Sequence, residues 1–536
     1  MTGRTTRISP STSSGPMRAE PVEAHEAEHP STSSGRIQAR LTPRSAADKG
    51  FPVLPRRRSH EAGIVHLGLS NFHRAHQAVY TAQALDLEEG PWGIVGVARQ
   101  SRDVLDAMTD QDLGYAVLSL EGDTAKIQIL QAHQELILAA ADPKSVVARL
   151  AAPATQIITV TITEAGYTFD PRTGGLDLDR PELAADLTGR DPLTTVGQLA
   201  HGLRQRYRAG GQPVTVMSCD NLIANGALLQ SLVRQFLERT VPKVEQAEVL
   251  DWCHSQVAFP GSMVDRIVPR TSEQHRKLVR SRTGLIDSCP VPAEPFSMWV
   301  MEDHFATARP CWDRVGAIIS DDVHGFEIMK IRLLNGTHSL IAYLGMLIGA
   351  RTIDEAVADP DICSAVEAFM DEMAETLQTP AGISFGDYRA SLLRRFGNSA
   401  TGHRTSQVGT DGSLKVPARI PDPIAIRAEK GLRSPICALL AATLVRVMTD
   451  QSATDPAVRE GLRDPALEIL ISIGSRYSSE TDRVRAVLLD SGIFPTQLAD
   501  QETFVADCAE LGETLRHGGV RAAIRAAVEP SPTRAT

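Results

Sequence analysis

Aromatic residues are scarce in this chain of 536 residues, where Phe, Trp and Tyr together make up 4%. A protein that binds nucleic acid by base stacking, or sugars in an aromatic groove, needs more of them. Basic residues are outnumbered too: 55 Lys and Arg stand against 65 Asp and Glu, which leaves a formal net charge of −10. These two shortages argue against nucleic acid as a partner.

The seven cysteines form no recognisable framework, since their number is odd and no CxxC motif occurs. A disulfide scaffold and a zinc ribbon are therefore both unsupported. Long apolar runs are also missing. The longest, at residues 339–350, is too short to cross a bilayer, and the N-terminal region has no apolar core of the signal-peptide kind. We expect a cytoplasmic protein with reduced thiols and no membrane partner.

Two changes in composition divide the sequence into three parts. Residues 1–60 are rich in Ser, Thr, Pro and Arg, contain the hexapeptide PSTSSG twice, and predict a disordered low-complexity tail. Residues 61–315 alternate short apolar strands with helical segments, which is typical of an α/β domain with a doubly wound parallel sheet. Residues 316–530 are mostly α-helical in pattern, and a substrate cleft is expected between the two domains. The strands predicted most clearly are residues 64–69, 92–97, 156–163 and 213–218.

The turn after the first predicted strand reads GLSNFHR and leads into a helix. In a dinucleotide-binding fold this is where backbone N–H groups bind the pyrophosphate. The candidate cofactor-binding residues are therefore Gly68, Ser70, Asn71 and Phe72. The motif departs from GxGxxG, because Ser70 and His73 stand at the second and third glycine positions, and an ordinary strand–helix turn remains an alternative.

The residues after the second predicted strand give conflicting signals about the cofactor. Asp103 would bind the ribose hydroxyls of NAD, whereas Arg99 and Arg102 would accommodate the 2′-phosphate of NADP. NAD is the expected cofactor, and NADP stays open. The histidines near the first turn have no carboxylate or cysteine partner at metal-ligand spacing, so no metal site is predicted.

The stretch EIMKIRLLNGTH at residues 327–338 carries the most chemical information. At about 100° per residue, Glu327, His338 and Asn335 fall within about 140° of Lys330, on one helical face. A lysine partly desolvated in a cleft can accept a hydroxyl proton, and an asparagine amide can stabilise charge that develops on an oxygen. The set suits alcohol oxidation with hydride transfer to a nicotinamide. A structural face with a Glu327–Lys330 salt bridge is the alternative.

Seven blocks occur in order over most of residues 61–420: IVHLGLSNFHRAHQAVY (64–80), TITEAGY (161–167), SCDNLIANG (218–226), FPGSMVDRIVP (259–269), EPFSMWVMED (294–303), KIRLLNGTH (330–338) and DGSLKVP (411–417). In this combination the chain resembles the polyol-specific long-chain dehydrogenase/reductase family, which includes mannitol 2-dehydrogenases and fructuronate reductases. The resemblance implies an α/β Rossmann-type N-terminal domain that binds NAD(P) and a mostly α-helical C-terminal domain. It also implies an active site in the cleft between them and independence of metal.

The resemblance further implies roles for individual residues. Lys330 would be the general base, with Asn335 and Asn221 on either side of the reacting oxygen. His338 would contact the substrate, and Glu327 would gate or relay the proton. Asn221 also fits independently, since it follows a predicted strand at the sheet edge where ligands of α/β folds bind.

Four more positions are candidates, three of them from the resemblance alone. Asp265 and Lys415 would contact the substrate and Glu164 the cofactor, although Asp265 could instead form a salt bridge with Arg266 or another cation. Arg404 lies in a stretch that looks closer to the uronate-reductase-like branch of the family. Its guanidinium could bind a substrate carboxylate bidentately or have a structural role.

The predicted function is an NAD(P)-dependent oxidoreductase that interconverts a sugar alcohol and a ketose by hydride transfer, with D-mannitol and D-fructose as the first substrate pair. Reduction of a keto-uronate such as fructuronate is the close alternative. A sugar-phosphate dehydrogenase and a non-catalytic nucleotide sensor are further readings, and the combined lysine, asparagine and histidine argue against the sensor. We expect small-molecule partners only, and a monomer or small homo-oligomer.

Overall fold

Within the described residues, all strands lie before residue 320 and helices dominate the part that follows. The computed structural model describes residues 39–529 except residues 58, 60, 171 and 172. The strands are β1 (Val53–Leu54), β2 (Ile64–Leu67), β3 (Ile94–Ala98), β4 (Tyr115–Glu121), β5 (Thr124–Leu130), β6 (His133–Leu138), β7 (Ile157–Val160), β8 (Phe169–Asp170), β9 (Gly175–Leu176), β10 (Val214–Ser218), β11 (Val257–Ala258), β12 (Ser262–Asp265), β13 (Val291–Ala293), β14 (Met298–Met301) and β15 (Ile318–Ile319).

The helices fall into two groups. Those among the strands are α1 (Pro43–Asp48), α2 (Asn71–Ala75), α3 (Gln77–Leu87), α4 (Asp103–Thr109), α5 (Pro143–Ala151), α6 (Pro181–Leu187), α7 (Thr195–Arg208), α8 (Asn225–Thr240), α9 (Lys243–Gln256) and α10 (Glu273–Thr283). Those after the strands are α11 (Val323–Met329), α12 (Thr337–Ile348), α13 (Ile353–Val357), α14 (Pro360–Ala374), α15 (Phe385–Phe396), α16 (Thr405–Gly409), α17 (Gly412–Lys415), α18 (Pro421–Glu429), α19 (Pro435–Thr449), α20 (Pro456–Arg459), α21 (Leu467–Arg476), α22 (Glu480–Arg485), α23 (Glu502–His517) and α24 (Gly519–Val528). None of the helices in the described residues is long and apolar enough to span a membrane.

The main sheet is a six-stranded parallel sheet with the order β11-β10-β7-β2-β3-β6. Every residue of β2, β3, β7 and β10 is buried, which is why these strands read as continuous apolar runs. They are the four predicted strands, with ends that differ by a few residues. The chain leaves β2 for β3 and later returns to the other side of β2 as β7, so the topological switch point lies between β2 and β7. Ligands of doubly wound folds bind at this point, and the predicted Rossmann-type fold is confirmed.

A second sheet, of order β1-β5-β4-β13, was not predicted. It corrects the expectation of a disordered tail, because residues 39–57 belong to the folded domain. β1 pairs with β5, and Leu41 and Ala46 are completely buried in a small apolar cluster beneath this sheet. The composition of residues 39–57 does not reveal these short elements, because the residues they pack against lie far along the chain. The rest of the predicted tail, residues 1–38, falls outside the described residues.

The helical part packs around α19, in which 13 of 15 residues are buried. Ahead of it, residues 323–348 do not form one continuous α-helix: between α11 and α12 the chain forms a seven-residue π-helix, Lys330–Gly336. Met329, Leu333 and Leu340, in and beside the π-helix, are buried in the core. The helix that follows the first turn is also broken, at His76 between α2 and α3, where the backbone leaves helical geometry (φ −123°, ψ −89°).

Candidate active site

Two cavities adjoin at the carboxyl ends of the parallel strands. The larger, of about 750 Å³, is lined by Lys330 and by residues of both domains. The other, of about 580 Å³, follows the ends of β2, β3, β7 and β10. Phe72, Asn221 and Val264 line both cavities, so the two spaces meet at these three residues. We call the first the lysine cavity and the second the strand-end cavity.

The turn after β2 is shaped by a glycine that no other residue can replace without movement. Gly68 has φ +108°, and a Cβ there would lie 1.9 Å from the carbonyl oxygen of Thr161 after β7. Ser70 caps α2 by accepting a hydrogen bond from the His73 N–H at 3.2 Å. Gly68, Ser70 and Phe72 all line the strand-end cavity, as the sequence predicts. Because Gly68 has no side chain, the ends of β2 and β7 can approach each other closely. The backbone of the turn is then accessible to a ligand.

Three predicted cofactor-binding side chains, those of Asn71, Asp103 and Glu164, do not line the strand-end cavity. Asn71 is used structurally: its Nδ2 donates to Thr271 Oγ1 at 3.2 Å, and its Oδ1 accepts from Arg74 Nη2 at 2.7 Å. Asp103 is exposed at the first position of α4. Both residues lie just after β2 or β3, as the sequence indicates, but such a position does not determine where the side chain points.

The third such residue, Glu164, is also exposed and outside the cavity lining, in the 3₁₀-helix after β7. Burial lowers the pKa of Lys415 and Arg419 in the helical domain, and the negative charge of Glu164 partly opposes that shift. After β3, the cavity is lined by Arg99, which the sequence indicates as a contact for the 2′-phosphate of NADP, and by Ser101, which was not predicted.

Lys330 lies at the base of the lysine cavity with its amine almost completely buried. The side chain is 6% exposed, and Nζ donates to Asn221 Oδ1 and to the carbonyl oxygen of Val264. Burial lowers the pKa of Lys330 to about 8, and the charges of Arg395 and Arg419 lower it as well, against the opposing effects of Asp265 and Glu327. An amine with this pKa is available as a base near neutral pH.

The π-helix brings the predicted residues together more closely than an α-helix would. Lys330 and Asn335 are five residues apart, which in an α-helix separates them by about 140° around the axis. A π-turn closes between i and i+5 and puts both on one side. Both line the lysine cavity with Asn221, and so does His338 from the first turn of α12. Burial lowers the pKa of His338 well below its usual value, and the imidazole is therefore neutral.

Glu327 is buried beside this group without bonding to Lys330. Its Oε2 accepts from the Ala224 N–H at 3.2 Å and lies 3.5 Å from His324 Nδ1, while Oε1 has no hydrogen-bond partner among the described residues. Burial raises the pKa of this carboxyl group. Glu327 and Lys330 both line a small third cavity with Asn221. Among the described residues Glu327 forms its ion pair with His324, and Lys330 Nζ bonds Asn221 and Val264, so the alternative of a direct Glu327–Lys330 salt bridge is wrong.

Asp265, at the end of β12, lines the lysine cavity, but its oxygens are taken. Oδ2 accepts from Arg395 Nη1 at 2.8 Å and Oδ1 from Arg395 Nη2 at 2.7 Å. Burial would raise the pKa of Asp265, and the Arg395 guanidinium more than offsets it, so the net shift is downward. Asp265 therefore forms a salt bridge with a cation other than Arg266, which is one of the alternatives stated for it from the sequence. Arg395 was not predicted.

The outer wall of the lysine cavity carries two arginines from different domains. Arg404 lines it while making only long contacts, at 3.3 Å to the Ala457 carbonyl oxygen and 3.4 Å to Glu460. Arg270, from the loop after β12, is exposed and has no ion-pair partner among the described residues. The predicted contact Lys415 does not line the cavity, because its Nζ donates to the Thr410 carbonyl oxygen at 2.6 Å.

Metal ligands are not grouped in the described part of the chain, where no set of three or more His, Cys, Asp and Glu side chains could hold an ion. The histidines near the first turn have other partners. His66 bonds Thr159 Oγ1 at 2.7 Å and Thr161 Oγ1 at 2.8 Å, and its ring stacks on that of His73. The ring of His73 in turn contacts His133 Nε2 at 3.1 Å.

Two family models match most of the chain. The mannitol dehydrogenase Rossmann domain matches residues 62–314, and the mannitol dehydrogenase C-terminal domain matches residues 322–516. D-mannonate oxidoreductase of Escherichia coli is 35% identical over 472 residues, which are 87% of this chain and 96% of that one. Mannitol 2-dehydrogenase of Phaeosphaeria nodorum is 34% identical over 476 residues, covering 86% and 80%.

A solved structure agrees over almost the whole length. The ternary complex of Pseudomonas fluorescens mannitol 2-dehydrogenase with NAD and D-mannitol has a TM-score of 0.79 at 32% identity, and covers 92% of this chain and 100% of that one. The resemblance inferred from the seven sequence blocks is confirmed. The protein belongs to the mannitol dehydrogenase family of oxidoreductases.

Proposed function

We propose that the protein is an NAD(P)-dependent oxidoreductase that interconverts a secondary alcohol and a ketone on an open-chain sugar derivative, with Lys330 as the general base. The observation that carries the proposal is the buried Lys330 amine, with its pKa near 8, close to the junction of the two cavities. The NAD and D-mannitol named for the structural relative support the same reaction class.

The strand-end cavity fits a dinucleotide. Gly68 keeps the turn free of a side chain where a Cβ would meet Thr161, and this gives a diphosphate close access to the backbone. Arg99 and Ser101 line the cavity beyond β3, where the adenosine ribose is recognised in this fold, while Asp103 does not. NAD remains the cofactor we propose, because the structural relative was solved with NAD. NADP, which Arg99 favours, is the second candidate. Bound there, the nicotinamide supplies the hydride acceptor or donor.

The chain's own residues handle the proton. Unprotonated Lys330 Nζ accepts the hydroxyl proton of the alcohol as the hydride leaves the adjacent carbon. Because Asn221 Oδ1 already accepts from Lys330, the amide N–H₂ of Asn221 is left to donate to the reacting oxygen. Asn335 offers a second amide, and neutral His338 can bond a neighbouring hydroxyl. These donors stabilise the charge that builds on the oxygen.

For the substrate we favour a sugar acid, the aldonate/keto-uronate pair, over a neutral polyol. Arg270 and Arg404 face the lysine cavity without a strong partner, while the carboxylate that lines it, Asp265, is held by Arg395. A neutral polyol leaves the two guanidinium groups without a counter-charge, and a carboxylate supplies one. The relative named D-mannonate oxidoreductase supports this choice. The neutral pair D-mannitol/D-fructose is the second candidate, favoured by the D-mannitol complex of the structural relative.

The substrate test is an absorbance assay of nicotinamide oxidation with NADH and NADPH in parallel, against fructuronate, tagaturonate and fructose. We expect turnover with a keto-uronate and little with fructose. Turnover with fructose alone would establish the neutral polyol reaction and remove the proposed role of the two arginines. No turnover with any of the three, despite cofactor binding, would contradict both candidates.

Arg404→Gln should raise KM for a keto-uronate at least about tenfold, because a hydrogen-bonded charge pair contributes roughly 1.5–3 kcal/mol. The kcat should change little, since the residue lies away from Lys330. Arg282→Gln, which removes an exposed charge from the last turn of α10 outside the cavity lining, is the matched control. Steady-state kinetics with acid and neutral substrates decide the matter: an equal rise of KM for both would exclude carboxylate recognition by Arg404.

The rate of alcohol oxidation should rise with pH through about 8, the pKa of Lys330, and then level off. The sign follows from the chemistry, because oxidation needs the unprotonated amine and ketone reduction needs the protonated one. Reduction should therefore fall over the same interval. The measurement is kcat/KM against pH in both directions; a rise of the two rates together would argue against a single group that donates and accepts the proton.

A further inference from the structure

A guanidinium from the helical domain holds two buried carboxylates of the strand domain. Arg395, near the end of α15, bonds Asp265 through Nη1 and Nη2. It also bonds Glu294 through Nε at 2.9 Å and Nη2 at 2.8 Å. The side chains of Arg395, Asp265 and Glu294 are 5%, 3% and 1% exposed. All three nitrogens of the guanidinium fork are engaged, in a geometry that lysine cannot reproduce.

The surrounding contacts fix this group further. Glu294 Oε1 also accepts from the Ile267 N–H at 2.6 Å, which joins the segment after β12 to the segment after β13. The Cζ of Arg395 lies 4.1 Å from the centroid of the Phe296 ring. Two residues of the sequence block EPFSMWVMED, Glu294 and Phe296, therefore contact Arg395.

Such a group is a poor source of stability. Removing charges from water costs several kcal/mol per ion, and apolar side chains of similar volume often stabilise a protein at least as well. The group lies beside the proposed base, since Lys330 Nζ donates to the carbonyl oxygen of Val264, the residue before Asp265. Folding stability therefore does not explain this group, and its position next to Lys330 indicates a role at the amine.

The charges that face Lys330 come from several elements. Asp265 on β12 and Glu327 on α11 are negative, while Arg395 on α15 and Arg419 before α18 are positive. The neighbouring titratable group His76, after α2, is buried, and its pKa is lowered to about 3, so it is neutral. Asp265 is thus the anion whose effect on the amine depends on whether Arg395 neutralises it.

We propose that Arg395 is a positioning residue for proton transfer, which holds Asp265 as a neutralised pair beside Lys330 and keeps that aspartate from binding the amine as its own counter-ion. Arg395 does not line the lysine cavity and acts only through Asp265 and Glu294. The inference rests on the proposed role of Lys330 as the base.

Removal of Arg395 and removal of the Asp265 charge should therefore shift the pKa of Lys330 in opposite directions. Without Arg395, Asp265 is left as an unpaired anion near Lys330, and a nearby opposite charge favours the protonated amine by about one pKa unit or more. Arg395→Met should therefore move the rising limb of alcohol oxidation to higher pH. Asp265→Asn removes an anion that raises the pKa of Lys330, so it should move the limb to lower pH.

The experiment uses two readouts on the full chain. The first is kcat/KM against pH for the wild type, Arg395→Met, Arg395→Lys and Asp265→Asn. The second is the pH dependence of Lys330 acetylation by acetic anhydride, followed on its peptide by mass spectrometry, which reports the amine without any turnover. We expect the opposite shifts in both, and a partial return toward the wild-type midpoint in Arg395→Lys, which keeps the charge but loses the fork.

A purely structural role would lower the amplitude of activity and the melting temperature while leaving the midpoint in place, and this result would overturn the proposal. If Arg395→Met does not fold, Glu294→Gln provides the test: Arg395 then keeps Asp265 but carries excess positive charge, and the midpoint should fall. An unmoved midpoint there would equally overturn it. Failure of the base assignment is a separate result, seen as normal turnover in Lys330→Ala, while acetylation still reports control of the amine by Arg395.

Discussion

Lys330→Ala should lower the turnover of alcohol oxidation by about 10²–10⁴-fold, the usual contribution of a positioned general base. The alanine leaves the Asn221 amide and the Val264 carbonyl without the amine that both now bind. Lys330 does not itself line the strand-end cavity, so the substitution removes no side chain from the cofactor site. Nicotinamide binding, measured by fluorescence titration, should therefore persist while kcat falls.

Two comparisons separate lost chemistry from lost folding. Lys277→Ala removes an exposed lysine from the outside of α10 and should have wild-type rates. A small primary amine such as ethylamine should restore part of the activity of Lys330→Ala, because the truncation opens space for it at the base of the lysine cavity. Turnover of Lys330→Ala within a few-fold of the wild type would exclude the base assignment.

The sequence is most informative where a role follows from position along the chain. Gly68 and Asn221 lie just after buried apolar strands, and the sheet-edge rule predicts that they meet. They line the same cavity. Asn71 is also on the predicted turn, but its side chain points to Thr271, 200 residues away. No local sequence pattern indicates where the Asn71 side chain points. Its place on the turn could therefore be predicted, but the orientation of its side chain could not.

The π-helix and the cluster of Arg395, Asp265 and Glu294 show the same limit of prediction from sequence. Helical spacing correctly places Lys330 and Asn335 on a shared face, but the wider turn that aligns them depends on packing that the spacing does not encode. Arg395 pairs with carboxylates 130 and 101 residues earlier, and nothing in its own helix distinguishes it from the arginine before it. Charges that meet only across a domain boundary need the three-dimensional structure.

Residues 39–57 illustrate the limit for the fold. Their strand β1 is two residues long and becomes part of a sheet only by pairing with β5. The hairpin of β4 and β5 lies in a stretch where exposed and buried residues do not alternate cleanly. By contrast, β2, β3, β7 and β10 are buried on both faces and stand out as apolar runs. Burial alone was not sufficient, because β12 and β14 are also buried along their whole length and were not predicted.

Gly68→Ala should reduce cofactor affinity more than any other single-methyl change in the strand-end cavity. The backbone at φ +108° is strained for alanine, at about 1–3 kcal/mol. The added Cβ would also lie 1.9 Å from the Thr161 carbonyl oxygen, so the ends of β2 and β7 must separate. Forced repacking of this kind costs a further ~1–3 kcal/mol. Since the same turn lines the cavity, we expect nicotinamide cofactor affinity to fall at least about tenfold and the melting temperature to fall as well.

Gly210→Ala is the matched control, because it has a similar φ of +112° with no atom within 4 Å of the added Cβ. It carries the backbone strain without the collision, so it should lose some stability and keep full cofactor affinity. The measurements are thermal unfolding and nicotinamide fluorescence titration of both variants. If Gly68→Ala matches Gly210→Ala in both, the close approach of the two strand ends is not needed for binding. If only Gly68→Ala loses affinity, the narrow turn between β2 and β7 is part of the dinucleotide site.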